Sequence, residues 1–530
     1  MRRWNGWGDD VINYSLPQSA PLFLERRIGR SKQPKDVNLD QAIALVPKAK
    51  LLKHPLVRTD SQTRLLHARG QSFPDWVALR FGKITSFPDG VAYPTSNEDV
   101  VNLVQYAHKS GIQIIPFGGG TSVVGHINPI RLKAAILTID MSRMNRLIDL
   151  DTTSLQATFG AGVTGPDLEA QLRAHGFTLG HFPQSFEYST LGGWVATRSS
   201  GQQSLRYGRI EKLFGGGRLI TPLGELVLPA FPASAAGPDL REMILGSEGR
   251  MGILTQACLR ISPLPESEDF HAVFFPDFQH GVEAVREILS AGISLCMLRL
   301  STANETTTTL ALAGHENLIG AMERLLAIRG LGNGKCMLLL GFSGKSNLVR
   351  INRSEALSIT AKLRGIHIGK TFGEQWHKNR FRTPYLRNVL WEMGYGVDTL
   401  ETATDWGNTP RMIDQIESAL QEAISHTEER IHIFTHLSHV YPFGSSIYST
   451  YLFRLAADPD ETLERWQMMK SAASHAIIST GGTISHQHGV GLDHLPYLPN
   501  EKGSLGMAAI SSLCRQFDPK GIMNPGKLVI

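Results

Sequence analysis

The chain has 530 residues, too many for one ordinary hydrophobic core, so two or three domains are expected. With 42% hydrophobic and 19% charged residues it has the composition of a soluble globular protein, and no apolar run is long enough to span a bilayer. The formal charge of +5 is mild and no Lys/Arg block occurs, which argues against nucleic acid as a partner and suits an anionic substrate or membrane surface.

Residues 1–80 read as an N-terminal arm, largely helical, with one helix over 39–49 and an ordered piece beginning at Asp75. The texture changes over 81–265. A short strand at Val91–Pro94 is followed by an N-cap signal at Ser96, helical spacing of Val100, Leu103, Val104 and Ala107, and a closing Gly111. The strand Ile112–Ile115 then completes a β-α-β unit. Further strands at 135–139 and 156–159 and a helix over 163–175 indicate an α+β nucleotide domain. The Pro-rich joint Ser262–Pro265 opens a second α+β region, 266–480. Its helical patterns cover 281–291, 316–329, 412–425 and 460–479, with strands at 271–275, 337–340 and 446–451. The tail, 481–530, holds a polar cluster and a helix over 505–517. Cys258, Cys296, Cys336 and Cys514 have neither CxxC nor zinc spacing, so free thiols in a reducing compartment are expected. The basic N-terminus has no apolar h-region and the C-terminus is not Ser-Lys-Leu, so the protein is expected to be cytoplasmic.

The most informative stretch is Pro116-Phe117-Gly118-Gly119-Gly120-Thr121-Ser122. Three glycines at the end of a strand free the backbone to take positive φ and to approach a ligand. Successive bare N–H groups form a nest for an anion, and Thr121 and Ser122 add hydroxyls. The P-loop and Gly-x-Gly-x-x-Gly fingerprints are both absent from this stretch. The loop is therefore a candidate pyrophosphate cradle, although a glycine-rich turn between core strands has the same composition. A second segment supplies Gln184, Ser185, Ser189, Thr190, Gly193, Thr197, Ser199 and Ser200, small and hydroxyl-bearing residues that can pack under a flat ring. A third, around Glu248, Gly249, Gly252 and Ile253, repeats the idea. Three such loops in one α+β domain point to an extended dinucleotide.

Together these loops resemble the PCMH-type FAD-binding domain of the vanillyl-alcohol oxidase superfamily. Within it the chain resembles the alkyldihydroxyacetonephosphate synthase family almost end to end. The resemblance includes Trp4-Asn5-Gly6-Trp7-Gly8, Gly180-His181-x-Pro183, Ser189-Thr190-x-Gly192-Gly193-Trp194, Arg299-Leu300, Ser485-His486-Gln487-His488-Gly489-Val490-Gly491 and Asn524-Pro525-Gly526. It implies an α+β fold: a PCMH-type FAD-binding domain of two α+β subdomains plus an α+β cap with an antiparallel sheet. The tail would complete the active site and pack on the FAD domain. It also implies non-covalent FAD, because the cradle lacks a linking histidine; His126, just beyond, could be proposed as a link but reads rather as a solvent-facing or structural histidine.

The implied reaction exchanges the acyl group of acyl-dihydroxyacetone phosphate for a fatty alcohol through a covalent adduct at flavin N5. By the same resemblance Tyr448 is the general acid/base and Arg387 anchors the substrate phosphate, with Arg299 as a second candidate. His181 lies close to the flavin, and His486 and His488 help activate the alcohol. A planar guanidinium suits phosphate because it binds bidentately, and imidazoles suit proton transfer. No metal is expected, since two histidines two apart need a further ligand and the acidic metal-binding segments of related dehydrogenases are missing. Gln487 departs from the synthases' run of three histidines, and glutamine cannot serve as a base. That departure keeps open an FAD-dependent dehydrogenase or oxidase of a hydroxy acid or polyol phosphate, acting by hydride transfer to N5. A catalytically silent flavin scaffold is a third reading. Long acyl chains imply a hydrophobic tunnel and peripheral membrane contact, and the family suggests a homodimer.

Overall fold

A computed structural model describes residues 2–51, 54–130, 133–313 and 316–529. Met1 and Ile530, the outermost residues of the expected arm and tail, lie outside the described residues. The first sheet has four strands in the order Val57–Arg58, Gly90–Ala92, Ile136–Asp140, Gln113–Phe117, the last three mutually parallel. The helix Asn97–Ser110 forms the crossover. Ser96 caps it by accepting from the Asp99 N–H, and Gly111 ends it in the left-handed region at φ 66°. This β-α-β unit aims the C-terminal end of Gln113–Phe117 at the glycine loop.

A five-stranded antiparallel sheet follows, ordered Leu147–Asp151, Gln156–Gly160, Ile253–Arg260, Phe214–Thr221, Gly224–Leu228. Its core takes in Leu168 and Leu172 of the helix Gly165–Arg173 and Cys514 of the helical run Leu498–Phe517. That run starts seven residues before the expected one and bends at Gly503, whose φ of 67° breaks the helical path. The tail continues into the first sheet, where Met523 bridges Ile114 in parallel and the Asn524 N–H donates to the Ile114 carbonyl at 2.7 Å.

The cap is a seven-stranded antiparallel sheet ordered Ile366–His367, Ser267–Phe275, Cys336–Gly344, Met297–Ser301, His432–Tyr441, Gly444–Arg454, Tyr395–Asp405. Period-two alternation sorts its side chains. In Gly444–Arg454, Ile447, Tyr451 and Phe453 enter the main core, while Tyr448, Thr450 and Leu452 face a cavity. In His432–Tyr441, Ile433 and Leu437 enter that core, while His432, Phe434 and His436 face the cavity.

The first 80 residues do not stand apart as an arm. Trp7, Phe73, Trp76 and Val77 are buried in the same core as the cap strands, and Val57–Arg58 joins the first sheet. The segment's mixed composition hides this, but a few aromatic rings bury enough apolar surface to anchor it. The helix expected over 39–49 stops at Ala44, short of Pro47, which disfavours helical geometry at the residue before it. All four cysteines are free; three are buried and Cys258 is half-buried.

Candidate active site

The three glycine-rich loops and the cap sheet enclose one cavity of about 390 Å³. Pro116, Phe117, Gly118, Gly119, Gly120, Thr121 and Ser122 all line it. The glycines are needed for a reason the sequence does not reveal: the loops pack on one another. A Cβ at Gly118 would stand 2.1 Å from Thr190 Oγ1, and one at Gly119 would stand 1.7 Å from the Tyr188 carbonyl oxygen. Gln184, Ser185, Ser189, Thr190, Gly193, Thr197 and Ser199 line the cavity from the second loop, and Glu248, Gly249, Gly252 and Ile253 from the third.

Glu248 is a hub. At φ 52° it accepts from the N–H groups of Val490 and Gly491 (2.5 and 3.0 Å), stands 3.1 Å from His126 Nε2, and gives its carbonyl to Asn524 Nδ2. It ties the tail to the loops. His126 is a buried residue of the cavity wall, with Nδ1 2.8 Å from Ser122 Oγ.

Three expected residues do not line the cavity. His181 is buried against Trp194, with Nε2 3.2 Å from Ser199 Oγ; burial and the Arg209 charge push its pKa down to about 3, so it is neutral. Ser200 bonds His439 at 3.3 Å. His486 is held behind the wall. Its Nε2 meets Arg209 Nη1 at 2.6 Å and Tyr441 Oη at 2.7 Å, and its Nδ1 meets Glu401 at 3.1 Å. Burial and then Arg209 hold its pKa well below the ordinary value. Glu401, His439 and His486 bring ligand atoms within 4.8 Å of one another, but the Arg209 guanidinium already supplies a cation against His486.

On the cap side, Tyr448, Arg299, Arg387, Gln487 and His488 line the cavity. The Tyr448 ring stacks on His436 at 5.0 Å and 20°, and meets His488 edge-on at 6.0 Å. Its hydroxyl stands 3.5 Å from Gln184 Oε1, and burial followed by the Glu401 charge raises its pKa, so the phenol holds its proton. The two arginines differ. Arg299 Nη2 is committed to Glu305 at 2.6 Å and lies 3.3 Å from His436 Nδ1. The His436 and Arg299 charges hold Glu305, against its burial, down to about 2. Arg387 gives Nη1 to the Gln71 carbonyl (2.7 Å) and lies over Trp76 at 4.4 Å, and no carboxylate among the described residues is within ion-pair distance. Gln487 Oε1 is buried without a partner among the described residues. His488 Nε2 is 3.6 Å from Glu401.

Sequence reasoning missed Glu401, His436, Glu305 and Arg209. Glu401, Tyr448 and His436 face one another across three strands. Counting back from the hairpin turn would pair Tyr448 with Leu437; an irregularity between Leu437 and Val440 shifts the register by one and brings in His436.

The site fits an FAD. The cradle is bare backbone, and Thr190 Oγ1 is a buried hydroxyl on the cavity wall with no partner among the described residues. The match to "FAD linked oxidases, C-terminal domain" covers residues 264–528, and the match to "FAD binding domain" covers 88–228. The chain therefore belongs to the FAD-linked oxidases with a PCMH-type FAD-binding fold. Within them it is similar to alkyldihydroxyacetonephosphate synthase: 31% identical to that of Dictyostelium discoideum over 99% of this chain and 93% of the relative. The Trypanosoma brucei brucei enzyme is 30% identical over 99% of this chain and 92% of its own length. A solved structure of alkyldihydroxyacetonephosphate synthase superposes with a TM-score of 0.85 at 29% identity, covering 99% of this chain and 98% of the other. No helix among the described residues is long and apolar enough to cross a membrane.

Proposed function

We propose that this protein is an FAD-dependent alkyl transferase that exchanges the acyl group of acyl-dihydroxyacetone phosphate for a fatty alcohol. One observation carries the reading. Arg387, which makes no ion pair among the described residues because the nearby Asp398 is held by Lys470, shares a cavity with an apolar set, Leu24, Leu312, Leu390, Phe434 and Leu452. A charged anchor beside an apolar wall suits a phosphate head with a long tail. Residues 81–265 would serve as the FAD domain and 266–480 as the substrate domain, with 481–530 completing the site.

Bound FAD would supply the covalent partner of the exchange through its N5. Arg387 holds the phosphate bidentately, without an internal carboxylate to displace. Tyr448 would relay the proton that the substrate carbon gives up and later regains. His488, on the wall and near Glu401, takes the alcohol proton. Gln487 offers its free Oε1 as an acceptor. His486 fixes the wall behind His488. Arg299, neutralised by Glu305, shapes the site rather than binding phosphate. The absence of a histidine from the Gly118–Gly120 cradle, with His126 Nδ1 held by Ser122 Oγ, supports non-covalent FAD.

Anaerobic mixing with acyl-dihydroxyacetone phosphate and labelled hexadecanol tests this. Alkyl product without lasting loss of the oxidised flavin band supports exchange. The second reading, hydride transfer from a hydroxy acid or polyol phosphate, is favoured by Gln487, which brings no base to the run. Under it the flavin band bleaches and no alkyl product forms. We further propose a cytoplasmic protein that touches membranes peripherally. The helix Ala20–Ile28 exposes Leu22 beside Arg26 and Arg27, while its Phe23 and Leu24 line the cavity. A homodimer is proposed from the family and is read by light scattering.

A further inference from the structure

The opening Trp4-Asn5-Gly6-Trp7-Gly8 takes no part in the chemistry above, yet it is tied to both halves of the molecule. Residues 2–9 close on themselves through the Arg3 N–H to Gly8 carbonyl bond (2.9 Å) and an antiparallel bridge between Arg2 and Asp9. On the FAD side, Arg2 is an exposed residue whose guanidinium donates to the carbonyl of Gly119. No peptide bond among the described residues is cis. In a trans peptide the C=O of one residue and the N–H of the next point opposite ways. A guanidinium that pins the Gly119 carbonyl therefore also sets the direction of the Gly120 N–H, one of the bare amides of the cradle.

Trp7 is buried, lines the cavity and meets the Tyr188 ring edge-on at 5.8 Å and 88°. The Tyr188 carbonyl is the atom that stands against Gly119. On the cap side the Trp7 backbone and the Asn388 side chain bond both ways: N–H to Oδ1 at 3.1 Å, and Nδ2 to the carbonyl at 3.0 Å. Asn388 adjoins Arg387. Gly8, at φ 88°, permits the approach, since a Cβ there would lie 2.2 Å from the Tyr385 ring. Arg80 Nε holds the Asn5 carbonyl at 2.7 Å and Gln71 Nε2 the Gly6 carbonyl at 3.3 Å. The segment thus spans the cradle, the second loop and the cap.

We propose that residues 2–9 are the closing element of the FAD site, with Arg2 orienting the glycine loop and Trp7 walling the cavity. Docking of the segment and binding of FAD then stabilise one another, because each favours the same loop conformation. The inference needs an FAD site and does not depend on alkyl exchange.

The test uses the full-length FAD-loaded protein and its Arg2→Ala, Arg2→Lys and Trp7→Phe variants. Each is diluted into FAD-free buffer and flavin release is followed by fluorescence. In parallel, FAD-loaded and FAD-depleted wild type are exposed to trypsin, and cleavage after Arg3 is followed by mass spectrometry. Arg2→Ala is expected to speed release about tenfold, equivalent to about 1.4 kcal/mol. Arg2→Lys should recover part of that loss, and FAD should slow the cleavage by a similar factor. The FAD-induced rise in melting temperature should shrink in Arg2→Ala while the FAD-depleted protein melts unchanged; a merely structural role would lower both melting points alike. Release rates unchanged in both Arg2→Ala and Trp7→Phe overturn the proposal, as does cleavage at Arg3 that is indifferent to FAD.

Discussion

Arg387 and Arg299 are one residue type on one cavity wall, and their neighbours give them different work. Arg299 faces a buried carboxylate that neutralises it, whereas Arg387 faces a carbonyl and an indole. Arg387→Met should therefore raise KM for the phosphate substrate by one to two orders of magnitude, in line with the ~1.5–3 kcal/mol of a hydrogen bond to a charged group. The same change at Arg299 should act mainly on stability, since it leaves the buried Glu305 with His436 alone. Steady-state kinetics beside thermal melts separate the two. Tyr448→Phe should lower kcat by about 10²–10⁴ with KM nearly unchanged, as expected for loss of a proton-transfer group. An equal rise in KM would argue instead that the hydroxyl binds substrate. Arg387 and Tyr448 were legible in the sequence through resemblance. Their partners Trp76, His436 and Gln184 were not, because Trp76 and Gln184 lie far away in the chain and His436, on the adjacent hairpin strand, meets Tyr448 only through the register shift.

At the scale of elements, the β-α-β unit that presents the cradle was readable from its N-cap, its helical spacing and its closing glycine. Each of these acts within a few residues. The use of Gly119 was not readable, because its neighbour is the Tyr188 carbonyl of another loop. Gly119→Ala must push two backbones apart, so it should purify with little FAD and melt several degrees lower. The ratio of protein to flavin absorbance reports the first effect and calorimetry the second. Full FAD content with an unchanged melt would show that the loops separate at little cost. The long cap strands Tyr395–Asp405 and His432–Tyr441 escaped sequence reading. Their mix of hydroxyls, histidines and acids is that of a strand with one face on a polar cavity and the other in a core, and composition alone averages the two faces.

For the whole molecule, many histidines are buried and neutral. Burial first, with charged neighbours second, sets His181 and His494 to about 3 and His432 and His377 to about 4, and holds His439 and His486 well below the ordinary value. An unfolded histidine titrates near 6.5. Below that pH the unfolded chain binds more protons than the folded one, so stability falls as pH drops from about 6.5 toward 4. Asp493, raised by burial to about 7, opposes this, as do Glu187, Glu401 and Glu417, which burial also raises, but the lowered histidines, His367, His436 and His488 among them, outnumber these carboxyls. The melting temperature should be lower at pH 5 than at pH 7 by several degrees; a flat profile would mean that the folded protein relaxes to admit the charges. Sedimentation with anionic liposomes should carry the protein down, and Leu22→Asp should release it, if the helix Ala20–Ile28 meets the membrane.

The sequence by itself determined the local units and the family: caps, periodicities and glycine runs depend on neighbouring residues, and the motif set extends from Trp4 to Gly526. Only the tertiary structure decided which charges are free and which are paired. It set His486 behind the wall and His488 on it, committed Arg299 to Glu305, and closed the first residues over the glycine loop. Those outcomes depend on burial and on contacts between elements, some of them, as for His486 and Arg209, hundreds of residues apart, and a one-residue shift of strand register exchanges the side chains that meet.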